Sequence, residues 1–470
     1  MIGSQQIILD ASDWIRGMSS GPEVSDGGFS TQTEAVNLIA EPGVIYAPNT
    51  TTDIDTDAVL NTDAEIIATC PDAEAGSPNN RLVMAADDDS EEAEFLRYNG
   101  TKLVDVTNGD DATRNYAKGF SDMVVFAGAC YFTSKEQLGE WLTASDTFNF
   151  TFSAAANTAV PHPLLVYENN LFWADGNLLK RMSAVSGTVS TILTLSTNEY
   201  IQALGIDQGS GKMLLSVEYG QNASGLIPRT HKIMWYDGFS NKILKSIHVE
   251  DQVYAFHSHG GVTYIGYGEN IGYMNGSGVT FLRRLLNVTR LQTQLPYKHN
   301  WASIGRNMYV VDGGTVLAMS DIISGRKIFY YALKNKTNAN IIDCIFEAGN
   351  NTLGFSFAEN KARSFPILTT TGLDKLDLRL NWINFSRPVY LRSVSIETVS
   401  TGSSGNFSIT YTDQAGNSGT FVRLAEITSV SEFSSIPGAT NKVKAVKLRI
   451  ENATENDGLK RIILYYDPAE

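Results

Sequence analysis

The chain is poor in several residue types, and each shortage closes off a class of protein. Among 470 residues there are three cysteines, Cys70, Cys130 and Cys344. They stand far apart, in no CxxC spacing and no Cys/His grouping, which argues against a disulfide framework or a structural zinc site. Basic residues are outnumbered, 36 against 51 acidic ones, for a formal net charge of −15. A protein that grips nucleic acid by neutralising phosphates needs the opposite balance, whereas one that DNA slides past does not. The longest apolar run, Met123 to Phe132, is about half the roughly 20 residues that a membrane-spanning helix requires. The opening MIGSQQIILDASDWIRG lacks the basic stretch and apolar core of a secretory signal, so a soluble chain made in a cytoplasm is expected. Eleven N-x-S/T triplets, Asn99-Gly100-Thr101 among them, then read as chance products of a chain rich in Asn, Ser, Thr and Gly. Motifs of catalysis are missing as well: there is no GxSxG, HExxH or GxxxxGK[ST], and no GxGxxG between strand and helix. No enzyme activity and no cofactor are expected.

Helical periodicity is nearly absent. The one candidate is SKEQLGEWL, Ser134 to Leu142, where Ser134 and Gln137 fit a capping box and Leu138 with Leu142 form a short stripe. What the chain has in quantity is strand-forming sequence, with 43% apolar and 10% aromatic residues to build packed cores. Paired runs recur from Arg81, Asp122, Leu164, Gln202, Val253, Trp301 and Ile342, each a strand, a polar or glycine turn and a second strand. The steps between starts are about 41, 42, 38, 51, 48 and 41 residues, the length of a four-stranded propeller blade. Second hairpins follow in FLRYNGTKLVDV from Phe95, IMWYDGFSNKIL from Ile233 and IGYMNGSGVTFL from Ile271, with NG and DG turns that supply positive φ. The expectation is an all-β chain: an extended N-terminal arm over 1–55, a β-propeller of about seven blades over 56–368, with six or eight left open by uneven spacing, and an antiparallel β-sandwich over 369–470. Within the last, Asn417 to Thr420 is read as a hairpin turn. The arm, Gly/Ser-rich and nearly without period, cannot build its own core and should lie extended on its own propeller or on a neighbouring subunit.

Groups able to carry chemistry are few. His257 and His259 share a strand face but have no further ligands nearby, so a polar blade edge is the simpler reading. Asp53, Asp55 and Asp57 imitate the start of a calcium loop, yet Ala58 and Ala64 stand where its glycine and bidentate glutamate belong. No metal site is expected. Asp87, Asp88, Asp89, Glu91 and Glu92 put five carboxylates into six residues, a solvated acidic surface and not the spaced acid/base pair that glycoside hydrolysis needs. Charge is also unevenly placed. Residues 1–115 hold 22 acidic and 5 basic side chains, a local −17, and 116–470 hold 29 and 31, a local +2. The final strands carry Lys442, Lys444, Lys447, Arg449, Lys460 and Arg461, so an acidic end and a basic end could pair head to tail between copies.

An arm containing Trp14, Gly17, Met18 and Asn37-Leu38 ahead of Pro42-Gly43, then a propeller without catalytic signature and a terminal sandwich, resembles the propeller-bearing virion proteins of tailed bacteriophages, the tail nozzle type in particular. The usual Arg before the Pro-Gly is lacking here. The resemblance implies a structural protein located in the virion, a homo-oligomeric ring in the tail or neck that contacts other tail or neck proteins and lines or gates the DNA exit path. It assigns Trp14, Gly17, Met18 and Asn37 to an assembly arm. No membrane insertion is implied. A host-surface glycan-binding module, with a glycan as partner, is the competing expectation, and a propeller glycoside hydrolase the third.

Overall fold

The computed structural model describes residues 5–10 and 32–469, except 37–38, 42–43, 47–51, 61–63, 73–79, 88–91, 107–108, 112–113, 221–229, 277, 286–294, 322–326, 335–341, 350–351, 358–360, 367–376, 381, 400–406, 428–429, 436–441 and 453–457. Strands joined by tight turns make up nearly all of it, and no helix among the described residues is long and apolar enough to cross a membrane. The chain is all-β.

Six antiparallel sheets have four strands each. The first meander comprises Ala64–Pro71, Arg81–Asp87, Ala93–Tyr98 and Leu103–Asp105; the second comprises Met123–Phe126, Ala129–Thr133, Gln137–Leu142 and Thr147–Ala154. The third, fourth and fifth open with Leu164–Tyr167, Glu199–Ile206 and Val253–His259. A sixth meander, Trp301–Ile304 through Lys327–Lys334, is the leading part of a fifteen-stranded sheet. Ile342–Glu347, Thr352–Phe357 and Lys361–Pro366 form the last, and its fourth strand is supplied from the other end of the chain by Thr52–Asp53. Opening strands of successive meanders lie side by side, and Ile342–Glu347 returns to touch Ala64–Pro71. Between the fifth and sixth, the short 3-10 turn Lys298–Asn300 fills the gap and reaches Val253–His259, Ile342–Glu347 and Ala64–Pro71. This arrangement is consistent with a β-propeller.

Side-chain patterning explains the layering. Second strands such as Ala129–Thr133 and Asn307–Asp312 are buried at every position, while the outermost Thr147–Ala154 and Ile243–Val249 mix exposed and half-buried residues. The core is a series of interfaces between sheets. Leu82, Met84 and Phe95 of the first meander meet Cys130, Phe132 and Trp141 of the second; Tyr131 and Leu138 of the second meet Leu171 and Trp173 of the third. Each such fully buried side chain contributes roughly 1.5–3 kcal/mol. Hairpins close on glycines with positive φ at Gly100 (88°) and Gly238 (85°), as the NG and DG turns require.

Three local expectations need correction. Residues 137–142 are a strand, not a helix. Ser134 Oγ does accept the N–H groups of Glu136 and Gln137, at 3.1 and 3.2 Å, but in a turn between two strands. A hydroxyl caps both structures in the same way locally, and pairing of Gln137–Leu142 with strands on both sides decides for the sheet. The C-terminal hairpin turns at 414–417, where Asp413 Oδ1 accepts from Ala415 and Asn417 N–H, and Ser418 already begins the return strand. The first meander begins at Ala64, one strand before the Arg81 start of the sequence pattern, because residues 72–80 separate its first two strands and break the hairpin rhythm.

C-terminal strands form the rest of the large sheet. The long strand Ile383–Val399 pairs through its first part with Val443–Asn452 and through its second with both Val430–Ser435 and Gly458–Pro468. Val443–Asn452 pairs in turn with Phe407–Asp413, which continues through Ser418–Ile427 to Val430–Ser435, so five strands close a hydrogen-bonded circuit. Of the described parts of the arm, Thr52–Asp53 joins the last meander, and Gln5–Asp10 and Gln32–Val36 are strands of this large sheet. Gln5–Asp10 pairs antiparallel with Gly458–Pro468, and Gln32–Val36 pairs with Asp377–Leu380. In the backbone register Asp10 stands opposite Arg461 and Glu34 opposite Arg379.

Candidate functional site at the plugged channel

The opening strands surround a channel that residues 295–300 fill. Asn300 Nδ2 donates to Leu295 O at 2.9 Å and Trp301 Nε1 to Pro296 O at 3.2 Å, which folds the segment back on itself. Lys298 and His299 then converge on Asp122, the residue just ahead of the second meander. Lys298 Nζ lies 2.9 and 2.8 Å from the two Asp122 oxygens and also donates to Leu164 O at 3.1 Å. His299 Nε2 is 2.8 Å from Asp122 Oδ1, and its Nδ1 accepts the Thr69 N–H at 3.3 Å, which places the ring proton on Nε2. Two backbone N–H groups, of Met123 and Leu164, complete the carboxylate's shell at 2.7 and 2.8 Å. Burial alone would raise the Asp122 pKa, but the Lys298 charge and the His299 hydrogen bond outweigh it and hold the carboxyl at about 2. One carboxylate thus ties together three opening strands and the plug. A second buried pair, Lys118 Nζ to Asp343 Oδ1 at 3.3 Å, links the lead-in of the second meander to the last.

Inside the plug the open space is about 30 Å³, that of one water. A cavity lies on each side of it. Where the fourth and fifth opening strands begin, one of about 690 Å³ is lined by Tyr200, Gln202, Glu218, Gln252, Tyr254 and Tyr297 among others; where the first, fifth and last end, one of about 380 Å³ is lined by Cys70, Arg81, His257, Lys298 and Glu347 among others. In the larger, Gln252 Nε2 donates to Gln202 Oε1 and Gln202 Nε2 to Glu218 Oε2, both at 3.1 Å. The Tyr254 and Tyr297 rings meet edge to face at 5.4 Å.

Residues singled out from the sequence lie elsewhere. Trp14, Gly17, Met18, Asn37, Asp88, Asp89 and Glu91 are outside the described residues. Asp87 ends its strand with its backbone opposite Ala64, and Glu92 is exposed. Among Asp53, Asp55 and Asp57, the first two accept backbone N–H groups of Asp55 and Val59 and the third pairs with Lys102. His257 Nε2 is bound to Ser303 Oγ at 2.7 Å and its ring stacks on Trp301, while His259 reaches Arg306 O; both lie between the fifth and sixth meanders. No group of three metal-ligating side chains occurs among the described residues. The hub was missed because Asp122 and Lys298 are 176 residues apart and neither sits in a motif.

Residues 1–115 are the acidic part of the sequence. Its described basic residues are all engaged: Arg81 with Glu347, Arg97 with Asp72 and Asp146, Lys102 with Asp57, and Arg114 with Asp111.

No protein-family model and no curated protein matches the chain. Among solved structures, one described as YCF48 bound to D1 peptide matches with a TM-score of 0.46 and 9% identity, over 69% of this chain and 97% of that one. That likeness is too low to bear on function.

Proposed function

We propose that the chain is a non-enzymatic structural subunit of a tailed-bacteriophage virion, assembling with copies of itself as a nozzle-like ring in the tail or neck. In this reading the seven meanders are seven propeller blades, the last closed by Thr52–Asp53, and the C-terminal circuit is a sandwich whose two halves share the strand Ile383–Val399. The observation that carries it is the pairing of Gln5–Asp10 with Gly458–Pro468, which anchors this part of the arm on the C-terminal module. Rigid blocks with few free edges suit ring contacts in which one patch meets a different patch on the neighbour. Because residues 295–300 fill the channel, viral DNA would pass along a wall shared by several copies and not through one subunit. A wall rich in carboxylates repels phosphates and keeps such a passage slippery. Other tail or neck proteins are the remaining partners.

Native mass spectrometry and electron microscopy of the purified full chain test this reading, together with peptide identification in purified particles. Rings of fixed order and presence in particles in a fixed multiple support it. A chain that stays monomeric and is missing from particles overturns it. A second reading, a host-surface glycan-binding module, has the cavity beside Tyr200 and Gln202 in its favour.

A further inference from the structure

We propose that the larger channel cavity is a binding site for a neutral saccharide, taking the end of an oligosaccharide between a polar and an aromatic wall. This deepens the glycan-binding reading and holds whether or not the chain belongs to a virion. At about 690 Å³ the cavity is of the size that holds small organic ligands. Among the described residues no Lys or Arg lines it and one buried carboxylate, Glu218, does, which disfavours phosphate, sulfate and carboxylate ligands.

The polar wall is ordered by that carboxylate. A carboxylate only accepts hydrogen bonds, so Gln202 turns its NH₂ toward Glu218 and its carbonyl toward Gln252. Each amide carries two N–H donors and an acceptor oxygen, and the ladder fixes their directions in advance. Such a row of set donors and acceptors matches vicinal hydroxyls, which both give and take hydrogen bonds.

Two glycines seat the aromatic wall. A Cβ on Gly220 would lie 2.7 Å from Tyr200 Cε2, and one on Gly119, at φ +75°, 2.4 Å from Tyr297 Cε1. Both rings therefore rest on bare backbone, held in place before any ligand arrives. Rings of this kind offer apolar faces to the C–H face of a pyranose while hydroxyls at its rim reach the amides. An organic ammonium also suits tyrosines beside a carboxylate, and the experiment separates the two.

Saturation-transfer NMR and calorimetry on the full chain would use trisaccharides ending in glucose, galactose, mannose or N-acetylglucosamine, a sialylated trisaccharide as charged control, and tetramethylammonium. At least one neutral trisaccharide should bind, and the sialylated control should bind at least about tenfold more weakly. Gln202→Ala should weaken binding about tenfold, and Gly220→Ala, by displacing Tyr200, by a similar factor. Should either fold poorly, Glu218→Gln keeps the shape; it should weaken the neutral ligand several-fold and narrow the gap to the sialylated control. Absence of neutral saccharide binding up to roughly 10 mM, binding indifferent to Glu218→Gln, or binding of tetramethylammonium alone would overturn the assignment. Ring assembly is scored separately, so either result can fail without the other.

Discussion

Replacing Asp122 by Asn should loosen the centre of the molecule far more than a single lost charge suggests. The carboxylate accepts from Lys298, His299, Met123 and Leu164, and is itself buried. An asparagine keeps one acceptor but turns an NH₂ toward donors, leaving buried N–H groups and an uncompensated ammonium. Removing one partner of a buried pair costs about 3–5 kcal/mol, here toward the lower end because the Lys298 side chain is 37% exposed. For a unit of this size that lowers the thermal midpoint by roughly 5–10 °C. The pH dependence gives a sharper check. A carboxyl held at about 2, against an ordinary 3.8, contributes stability that is complete above pH 4 and is lost as pH falls toward 2; the amount is about 2 kcal/mol. Thermal melts of both proteins from pH 7 to pH 2 should show a gap that narrows below pH 4. A midpoint within about 1 °C of the parent at pH 7 would refute the hub, and so would a gap that stays constant through acid.

A second pH window belongs to His257, whose pKa burial, with some help from His259, lowers to about 4 from 6.5. The folded protein keeps this ring neutral, so stability should fall as pH drops from 6.5 to 4, and His257→Gln should flatten that slope in acid titrations followed by circular dichroism. Gly205→Ala would set a methyl 2.2 Å from Phe256 Cβ, an atom that cannot step aside; urea midpoints should report a loss of about 1–3 kcal/mol or more, and an unchanged midpoint would show the contact to be looser. All three thiols are buried, with Cys70 and Cys130 Sγ atoms 3.6 Å apart and Cys344 pushed up to about 12 by burial. A thiol reagent should find none of them in the native protein at pH 8 and three after denaturation; rapid native labelling would contradict this packing. Deleting residues 1–55 strips the last meander of Thr52–Asp53 and Gly458–Pro468 of one neighbour. The truncated chain should melt earlier and self-associate by light scattering, and a melt identical to the full chain's would deny the arm a structural part.

Much of the fold was legible because period-two runs and glycine turns are local signals. Asp122, Leu164, Gln202, Val253, Trp301 and Ile342 each stand at or next to an opening strand, and the glycines of Asn99-Gly100 and Asp237-Gly238 adopt the positive φ that their turns imply. Where local signals are shared by two structures, the reading failed: Ser134 caps a strand turn as well as it would cap a helix. The site was illegible for a different reason. Nothing near Asp122 announces that its partners arrive from Lys298 and His299, or that Gly119 is bare so that the Tyr297 ring can lie against it. Likewise Ile7 and Leu9 alternate as a strand should, yet their neighbours Leu464 and Ile462 come at the far end of the sequence.

That last pairing sets a timetable. Asp10 leaves the ribosome some 450 residues ahead of Arg461, which at ordinary rates of synthesis is roughly 20–90 s. Throughout that interval Ile7, Ile8 and Leu9 lack Leu464, Ile463 and Ile462, the residues they face in the folded chain. A pairing this distant in sequence is of the kind that two chains folding side by side could exchange in the same register. Whether a chain closes on itself or on a neighbour would then depend on concentration and on that delay.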